Sequence, residues 1–350
     1  MGNKSGLLIS VGLLLCFGLT TIWSTVPNLF WVQLSFLVIG VFVALIFYKL
    51  DFSIAFSLST FIYIFSIFLL VITLFLGQSI RGATRWIGIG AYQLQTSEIV
   101  KPLLALAYAG FLAKHPLNKI KNLLTYIALS LIPVLLVKSQ PDLGSALVLL
   151  VLAGFMGLFA KINLRWVAVI SVLVLALIPL APYLLKDYQL NRIESFLNPY
   201  HDPKGRGYNA IQSVIAIGSG GLIGKGVSLG TQSHLNFLPE RHTDFIFASF
   251  AEEFGLLGVS LVLLAYFYLL YRLFEISNHL KDKENRLLAL GILSIFMFQS
   301  VVNIGMNLGI MPVTGITLPL FSYGGSSLIS FAALLGMSLR LLELIPTHQL

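Results

Sequence analysis

The chain has 350 residues, of which 57% are hydrophobic and 10% are charged, and its formal net charge is +8. A soluble globular domain carries about a quarter charged residues, so this composition excludes a water-soluble protein. The positive charge does not indicate nucleic-acid binding, because the basic residues are scattered over separate loops and form no basic stripe.

Apolar runs of about 20 residues, long enough for a helix to cross a bilayer, recur along the chain. They predict an all-α polytopic membrane protein with about ten transmembrane helices in a single domain, residues 1–350. A long loop between the seventh and eighth helices contains a glycine-rich stretch, which predicts a membrane-surface helix ending in a flexible turn. The loop is residues 186–242, and the predicted spans are residues 6–25, 29–48, 53–76, 96–113, 121–138, 143–160, 164–185, 243–271, 287–309 and 319–342.

The distribution of lysine and arginine predicts the orientation, since short cytoplasmic loops retain positive charge during insertion. A cytoplasmic N-terminus puts more than half of these residues on the cytoplasmic side. Both termini are therefore predicted to be cytoplasmic and the long loop extracytoplasmic. The residues on the cytoplasmic side are Lys4, Lys49, Lys114, Lys119, Lys121, Lys161, Arg165, Arg272, Lys281, Lys283, Arg286 and Arg340.

Several ionisable residues fall near or within the fourth and sixth predicted spans, where a charge at the bilayer centre costs a few kcal/mol. Glu98 and Lys101 are three residues apart on one helical face, so they can pair. The pair either locks the fourth helix to its neighbours or forms the wall of a polar pocket, beside which Arg81 and Arg85 would contact an anionic headgroup. Asp142 begins the sixth span and is interpreted as a helix cap.

The stretch LPERHTDFIFASFAEEFG opens the eighth span and places three carboxylates in apolar surroundings. Asp244 lies at its outer end, directly after Arg241 and His242, where it is either a helix cap or a functional acid. At 100° per residue, Glu252 lies about 80° from Asp244 and Glu253 lies about opposite. This geometry predicts that Glu252 can share a cavity with Asp244 and that Glu253 is structural.

Polar side chains also recur on the ninth span and in the segment after it. Gln299, Asn303 and Asn307 are spaced by four residues, so their amides line one face of a helix. Irregular backbone at membrane depth must be buried in protein or face water, so the broken stretch MPVTGITLPLFSYGGSS predicts a polar cavity. The hydroxyl groups that it directs towards this cavity are those of Ser322, Tyr323, Ser326 and Ser327.

Five stretches of the sequence together resemble the SEDS proteins (shape, elongation, division and sporulation). They are RGATRWIGIGAYQLQTSEIVKP, QPDLGSAL, GYNAIQSVIAIGSGGLIGKG, LPERHTDFIFASFAEEFG and NIGMNLGIMPVTGITLPLFSYGGSS, and they occur in the family's order over nearly the whole chain. The motifs PERHTDF and QPDLGSAL and the short tails of the chain are more similar to the elongation branch, RodA, than to the division branch, FtsW. One departure is Thr96, where many members have proline.

The resemblance implies a ten-helix peptidoglycan glycosyltransferase of the bacterial cytoplasmic membrane. Such an enzyme polymerises lipid II, an undecaprenyl-diphosphate disaccharide peptide, on the outer face, and works with a class B penicillin-binding transpeptidase in the elongation machinery. It further implies that Asp244 is essential and that the family's conserved acid and lysine are Glu98 and Lys101.

On this basis we hypothesise that Asp244 is the general base for glycosyl transfer. A divalent cation, Mg²⁺ or Mn²⁺, would be held mainly through the substrate diphosphate, because the sequence contains no cluster with metal-ligand spacing. Cationic side chains would neutralise the diphosphates, and the candidates are Arg192, Arg206, Lys225 and Arg241.

Two other functions remain open from the residues alone. A flippase for the lipid-linked precursor would need polar groups that continue past the bilayer midplane. The acids and amides cluster instead in the outer halves of the predicted spans, which favours a polymerase. A non-catalytic scaffold for cell-wall enzymes would tolerate replacement of Asp244.

Overall fold

The computed structural model describes residues 2–80, 83–89, 92–160, 187–205 and 207–346, together with residues 162, 165, 166 and 168. Within these residues, eight helices are long and apolar enough to cross a membrane, and a shorter apolar helix follows the fifth of them. These nine helices match nine of the predicted spans, which confirms the predicted class of polytopic helical membrane protein. The remaining predicted span, residues 164–185, lies outside the described residues.

The elements follow the chain in a simple order. The long helices are α1 (Gly2–Thr25), α2 (Pro27–Tyr48), α4 (Ser59–Leu76), α5 (Thr96–Lys114), α6 (Ile120–Ser139), α7 (Leu143–Phe159), α11 (Ile246–His279), α12 (Lys283–Asn307) and α13 (Gly325–Glu343). The short elements are α3 (Phe52–Ser57), α8 (Asp187–Leu197), the 3₁₀ turn Pro199–His201, α9 (Tyr208–Ser219), α10 (Thr231–His234) and the strands β1 (Gln78–Ile80), β2 (Ala83–Ile89) and β3 (Tyr92–Gln95).

Three helices form the centre of the bundle. In α5, α12 and α13, 78% of the residues in each membrane-spanning stretch are buried, against 17% in α2 and 22% in α4. The outer helices therefore present apolar side chains outwards, as lipid contact requires, and the inner three can carry polar side chains that face other protein groups.

The start of α1 and the end of α13 lie at the same end of the bundle. The ammonium of Lys4 at the start of α1 is 2.6 Å from a carboxylate oxygen of Glu343 at the end of α13. Residues of β2 and β3, the end of the long loop and the segment between α12 and α13 lie around Asp244 at the other end.

A three-stranded antiparallel sheet joins α4 to α5, and the sequence interpretation contained no such element. Trp86 pairs with Gln95 and Ile89 pairs with Tyr92, so β2 and β3 form a hairpin that leads directly into α5. Strands of three to seven residues between two membrane helices give a weak periodic signal, which explains why the sheet was missed. The hairpin places Gln95 at the N-terminal cap position of α5.

The glycine-rich turn of the long loop, expected to be flexible, is instead held against α11. Gly255 interrupts α11 with φ 63° and ψ −166°, a conformation that favours glycine. The helix amides freed by this break donate to the turn, because the amide of Leu256 is 2.9 Å from the carbonyl oxygen of Gly221. A Cβ atom on Gly224 would lie 2.1 Å from the carbonyl oxygen of Glu253, so the glycine permits direct contact between the two backbones. The expectation of flexibility was wrong.

Candidate functional site

A polar cavity of about 360 Å³ lies between α5, α7, α12 and α13, below the segment that precedes α11. Its walls combine carboxylates, cations, amides and hydroxyls in a chain that is otherwise apolar. The described polar side chains that line it are those of Arg85, Gln93, Gln95, Glu98, Lys101, Ser145, Glu240, His242, Thr243, Asp244, Gln299, Thr317, Tyr323, Ser326 and Ser327.

Asp244 is half-buried at the edge of this cavity, two residues before α11 begins at Ile246. Its position is set through its main chain: the side-chain amides of Asn303 and Asn307 donate to the carbonyl oxygen of Asp244 at 3.1 and 3.0 Å. Asn303 also donates to the carbonyl oxygen of Ile316 at 2.7 Å. The two asparagines therefore join the start of α11 to the segment after α12.

The predicted substrate-binding role of Asn303 and Asn307 does not agree with this geometry. Both side chains are fully buried, and neither is among the described residues that line the cavity. Their amide groups already bond to backbone, since Asn307 also accepts from the amide of Ala248 at 3.1 Å. The spacing of four correctly placed them on one face, but it did not reveal that this face meets main chain.

Gly315 lies directly beside the Asp244 carboxylate. It lines the cavity with φ +73°, and a Cβ atom at this position would lie 3.5 Å from Oδ2 of Asp244. Ser322 supports the same region, because its hydroxyl donates to the carbonyl oxygen of Thr243 at 2.7 Å and accepts from the amide of Leu318 at 2.9 Å. Ser322, predicted to bind substrate, thus acts on backbone and is not among the described lining residues.

Tyr323 and Ser326 do line the cavity, as expected. The ring of Tyr323 lies 5.6 Å from that of His242, centroid to centroid, at the same edge as Asp244. Burial raises the pKa of the Tyr323 phenol above its ordinary value near 10, so the group is a neutral hydrogen-bond donor at physiological pH.

The ion pair between Glu98 and Lys101 is confirmed, with 2.6 Å between Nζ and Oε1. Both side chains are buried and both line the cavity.

Asp142 caps α7 as predicted, because its side chain accepts from the amide of Ser145 at 3.1 Å. It also pairs with Arg85 at 3.3 Å, which fixes that guanidinium at the cavity wall. Arg81 lies outside the described residues.

The cations of the long loop do not gather at the cavity. Lys225 pairs with Glu252 at 2.8 Å. Arg241 donates to the carbonyl oxygen of Thr25 at 3.3 Å, and burial lowers the pKa of its guanidinium. Arg192 donates to the carbonyl oxygen of Thr314 at 3.3 Å and lines a separate groove beside α8. Lys225 and Arg241 are thus structural in their described contacts, and Arg206 lies outside the described residues.

Glu252 does not share the cavity of Asp244, so that prediction was wrong. The projection of 100° per residue assumes that Asp244 belongs to the helix, whereas α11 starts two residues later. The Glu252 carboxylate is fully buried and accepts from the amides of Gln232 and Ser233 at 2.9 and 3.0 Å. Glu253, expected to be structural, accepts from the hydroxyl of Ser24 and from the amide of Ser228.

Several residues that line the cavity were not assigned a role from the sequence, among them Glu240 and Gln299. Glu240 belongs to the same charged stretch as Asp244, and Gln299 is the first amide of the stripe on α12. The stripe was a usable signal for Gln299. The spacing does not show what each amide packs against. Only the tertiary structure shows that Gln299 faces the cavity while Asn303 and Asn307 bond to backbone.

The described residues contain no cluster of three metal-binding side chains. The carboxylates at the cavity are those of Asp244, Glu240 and Glu98, and Glu98 is paired with Lys101. Oxygen donors of this kind suit Mg²⁺ or Mn²⁺, and Mg²⁺ commonly uses one or two carboxylates together with substrate phosphates.

Fold and site together define a class: a multi-pass helical membrane protein with a charged cavity at one end of its bundle. The family model of the FtsW, RodA and SpoVE cell cycle proteins matches residues 5–344, and the chain belongs to this family.

Curated relatives carry a consistent activity in their names. The chain is 44% identical over 292 residues to the peptidoglycan glycosyltransferase MrdB of Escherichia coli K12, covering 83% of this chain and 78% of the relative. It is 38% identical over 283 residues to the probable peptidoglycan glycosyltransferase FtsW of Escherichia coli O6:H1, covering 79% of this chain and 68% of the relative.

Solved structures share the fold over nearly the whole chain. One of them is a chain of a peptidoglycan synthase complex described for its structural coordination of polymerization and crosslinking. It has a TM-score of 0.83 and 37% sequence identity, with 96% of both chains covered. The rod shape determining protein RodA of Thermus thermophilus has a TM-score of 0.72 and 32% identity, covering 96% of this chain and 95% of that chain.

Proposed function

We propose that this chain is a peptidoglycan glycosyltransferase that polymerises lipid II during cell elongation, with Asp244 as the general base. The observation that carries the proposal is the position of Asp244 at the edge of a cavity that also contains Arg85 and the Glu98–Lys101 pair. An acid, a cation and a buried ion pair in one polar cavity meet the needs of glycosyl transfer between charged lipid-linked sugars. Relatives named as peptidoglycan glycosyltransferases support the same reaction.

The proposed reaction transfers the donor sugar from its diphosphate to the 4-hydroxyl group of the acceptor. Asp244 takes the proton of the acceptor's 4-hydroxyl group while that oxygen forms a bond to the anomeric carbon of the donor. The bond between the anomeric carbon and the diphosphate breaks, and undecaprenyl diphosphate leaves with the electron pair. Arg85 and Lys101 stabilise the negative charge of the diphosphate, and Mg²⁺ or Mn²⁺, if bound by Glu240 with substrate phosphates, would supply further charge neutralisation.

A general base must be held within hydrogen-bond reach of the proton that it removes. The bonds from Asn303 and Asn307 to the main chain of Asp244 supply this positioning. A rigid backbone under a half-buried acid favours catalysis, because little reorganisation is needed when substrate binds.

The proposed setting is the bacterial cytoplasmic membrane, with both termini cytoplasmic and the cavity near the outer face. The contact between Lys4 and Glu343, at the end of the bundle opposite Asp244, supports this arrangement. A class B penicillin-binding transpeptidase is the proposed partner within the elongation machinery. The peptidoglycan synthase complex that contains a similar chain supports this assignment.

The test is polymerisation by the purified protein, alone and with a transpeptidase partner, from lipid II and Mg²⁺ or Mn²⁺. We expect wild type to form glycan strands on a gel and Asp244→Asn to form none while keeping its melting temperature. Asp202→Asn, which changes an exposed loop carboxylate away from the cavity, is the matched control and should remain active. Equal polymer from wild type and Asp244→Asn would exclude Asp244 as the base, and lipid II movement across vesicles without polymer would favour a flippase.

A further inference from the structure

Gln299 is a buried amide without a hydrogen-bond partner among the described residues. Neither Nε2 nor Oε1 bonds to another group of the described residues, although the side chain is fully buried and lines the cavity. An unsatisfied amide is costly in a protein interior, so an amide left without partners on both atoms requires a reason.

Its location relates the amide to the proposed reaction. Gln299 is one helical turn from Asn303, whose side chain bonds to the carbonyl oxygen of Asp244, so it lies about 6 Å further along α12 towards the opposite end of the bundle. Other unpaired polar atoms share this cavity, because Oε2 of Glu98 and Nε of Arg85 also lack partners among the described residues. The interior of the cavity therefore offers both donors and acceptors to a bound molecule.

We infer that Gln299 is a binding residue for an acetamido group of the sugar substrate. A primary amide with one free donor group and one free acceptor is complementary to a secondary amide, since Nε2 can donate to the acetamido carbonyl while Oε1 accepts from its N–H. The inference rests on the proposed function, because peptidoglycan sugars carry an acetamido group at C2. In the donor sugar, C2 adjoins the anomeric carbon, so the acetamido group lies close to the diphosphate that Arg85 and Lys101 would hold.

The consequence is selectivity between sugars. A cavity that hydrogen-bonds a substrate group discriminates against an analogue that lacks it, because the buried polar atoms then remain unpaired. Wild type should therefore use lipid II with a 2-hydroxyl in place of one acetamido group with a kcat/KM lower by roughly tenfold to a hundredfold.

Gln299→Met tests this assignment, because methionine keeps the unbranched length of glutamine and removes both polar atoms. We expect the variant to polymerise normal lipid II with a similarly reduced kcat/KM and to lose the discrimination against the 2-hydroxyl analogue. Two analogues, one altered in each sugar of the disaccharide, identify which acetamido group is bound. The melting temperature of the substrate-free variant should not fall, since the described protein makes no hydrogen bond to the amide that is lost.

Ser300→Ala is the matched control. Ser300 is the next residue of α12 and is buried, and its hydroxyl has no hydrogen-bond partner among the described residues. It is not among the described residues that line the cavity. It should retain the selectivity of wild type. The inference would be overturned if wild type used normal lipid II and both analogues equally. It would also be overturned if Gln299→Met kept the selectivity of wild type. Either result would indicate that the amide binds only water. Wild type that polymerises no lipid at all would instead overturn the proposed function.

Discussion

The ammonium of Lys225 lies 2.8 Å from the carboxylate of Glu252, and this ion pair ties the long loop to α11. The same carboxylate accepts from the main-chain amides of Gln232 and Ser233, which open α10. One buried acid thus holds two parts of the loop that leads to Asp244.

Glu252→Gln should loosen this loop. Loss of the charge weakens the bonds from Lys225, Gln232 and Ser233, and a neutral amide cannot accept at both atoms, so we expect about 1–3 kcal/mol of lost stability. Hydrogen–deuterium exchange should accelerate at the amides of Gln232 and Ser233, and polymerisation should fall. Glu343→Gln, at the exposed ion pair with Lys4, is the control and should leave exchange in the loop unchanged. Unchanged exchange in Glu252→Gln would contradict the anchoring role.

Gly315→Ala should reduce activity more than stability. The φ of +73° costs an L-residue about 1–2 kcal/mol, and the new methyl group would contact the Asp244 carboxylate. Gly309 provides a close control, because it has the same φ of +73° but its Cβ would meet Val214 instead of Asp244. Gly309→Ala should lose at least as much stability in thermal unfolding, because its Cβ would lie 3.2 Å from Val214, and only Gly315→Ala should lose polymerisation activity. Equal activity in the two variants would show that the space beside Asp244 is unimportant.

Lys101→Met should destabilise the protein strongly, because it leaves the buried Glu98 carboxylate without its cation. Removing one member of a buried pair costs about 3–5 kcal/mol. The double variant Glu98→Gln/Lys101→Met removes both charges and should recover most of the melting temperature. If the pair also acts on the substrate diphosphate, the double variant will be folded yet inactive. A folded and fully active double variant would assign the pair to packing alone.

Tyr323→Phe should change alkaline stability and leave the pH dependence of catalysis intact. Burial raises the pKa of the folded phenol, so the unfolded chain releases its proton first, near pH 10. The free energy of unfolding of wild type is therefore unaffected by this group below pH 10 and falls as pH rises from there to the folded pKa. The variant should lack this additional fall, and its pH–rate profile between pH 6 and 9 should follow that of wild type. If Tyr323→Phe removes the rise or the fall of the polymerisation rate with pH in this range, Tyr323 is a titrating catalytic group.

The sequence predicted the features that depend on local pattern. Apolar length located nine described helices, and the spacing of Glu98 and Lys101 predicted an ion pair that the structure contains. Helical spacing also grouped Gln299 with Asn303 and Asn307. The sheet that introduces Gln95 was missed, because strands this short carry little periodic signal.

The errors arose where a side chain's role depends on which group packs against it. Helical projection predicts Glu252 in the cavity, yet the helix begins after Asp244 and the acid bonds to the long loop. Lys225 was assigned to the substrate because it is cationic, although Glu252 already pairs with it. Charge and periodicity identify the chemistry that a residue can perform, but they do not identify its partner.

The sequence by itself determined the class of protein, its order of helices and the stretch that contains Asp244, because hydrophobic length and helical spacing are local properties of the chain. Only the tertiary structure decided which polar groups face the cavity and which hold the backbone around it. Asn303 and Gln299 lie on one helical face a single turn apart, yet the first bonds to the main chain of Asp244 and the second has no partner in the described protein. The physical reason is that a buried polar group is defined by the atoms within hydrogen-bond distance, and those atoms come from segments far away in the chain.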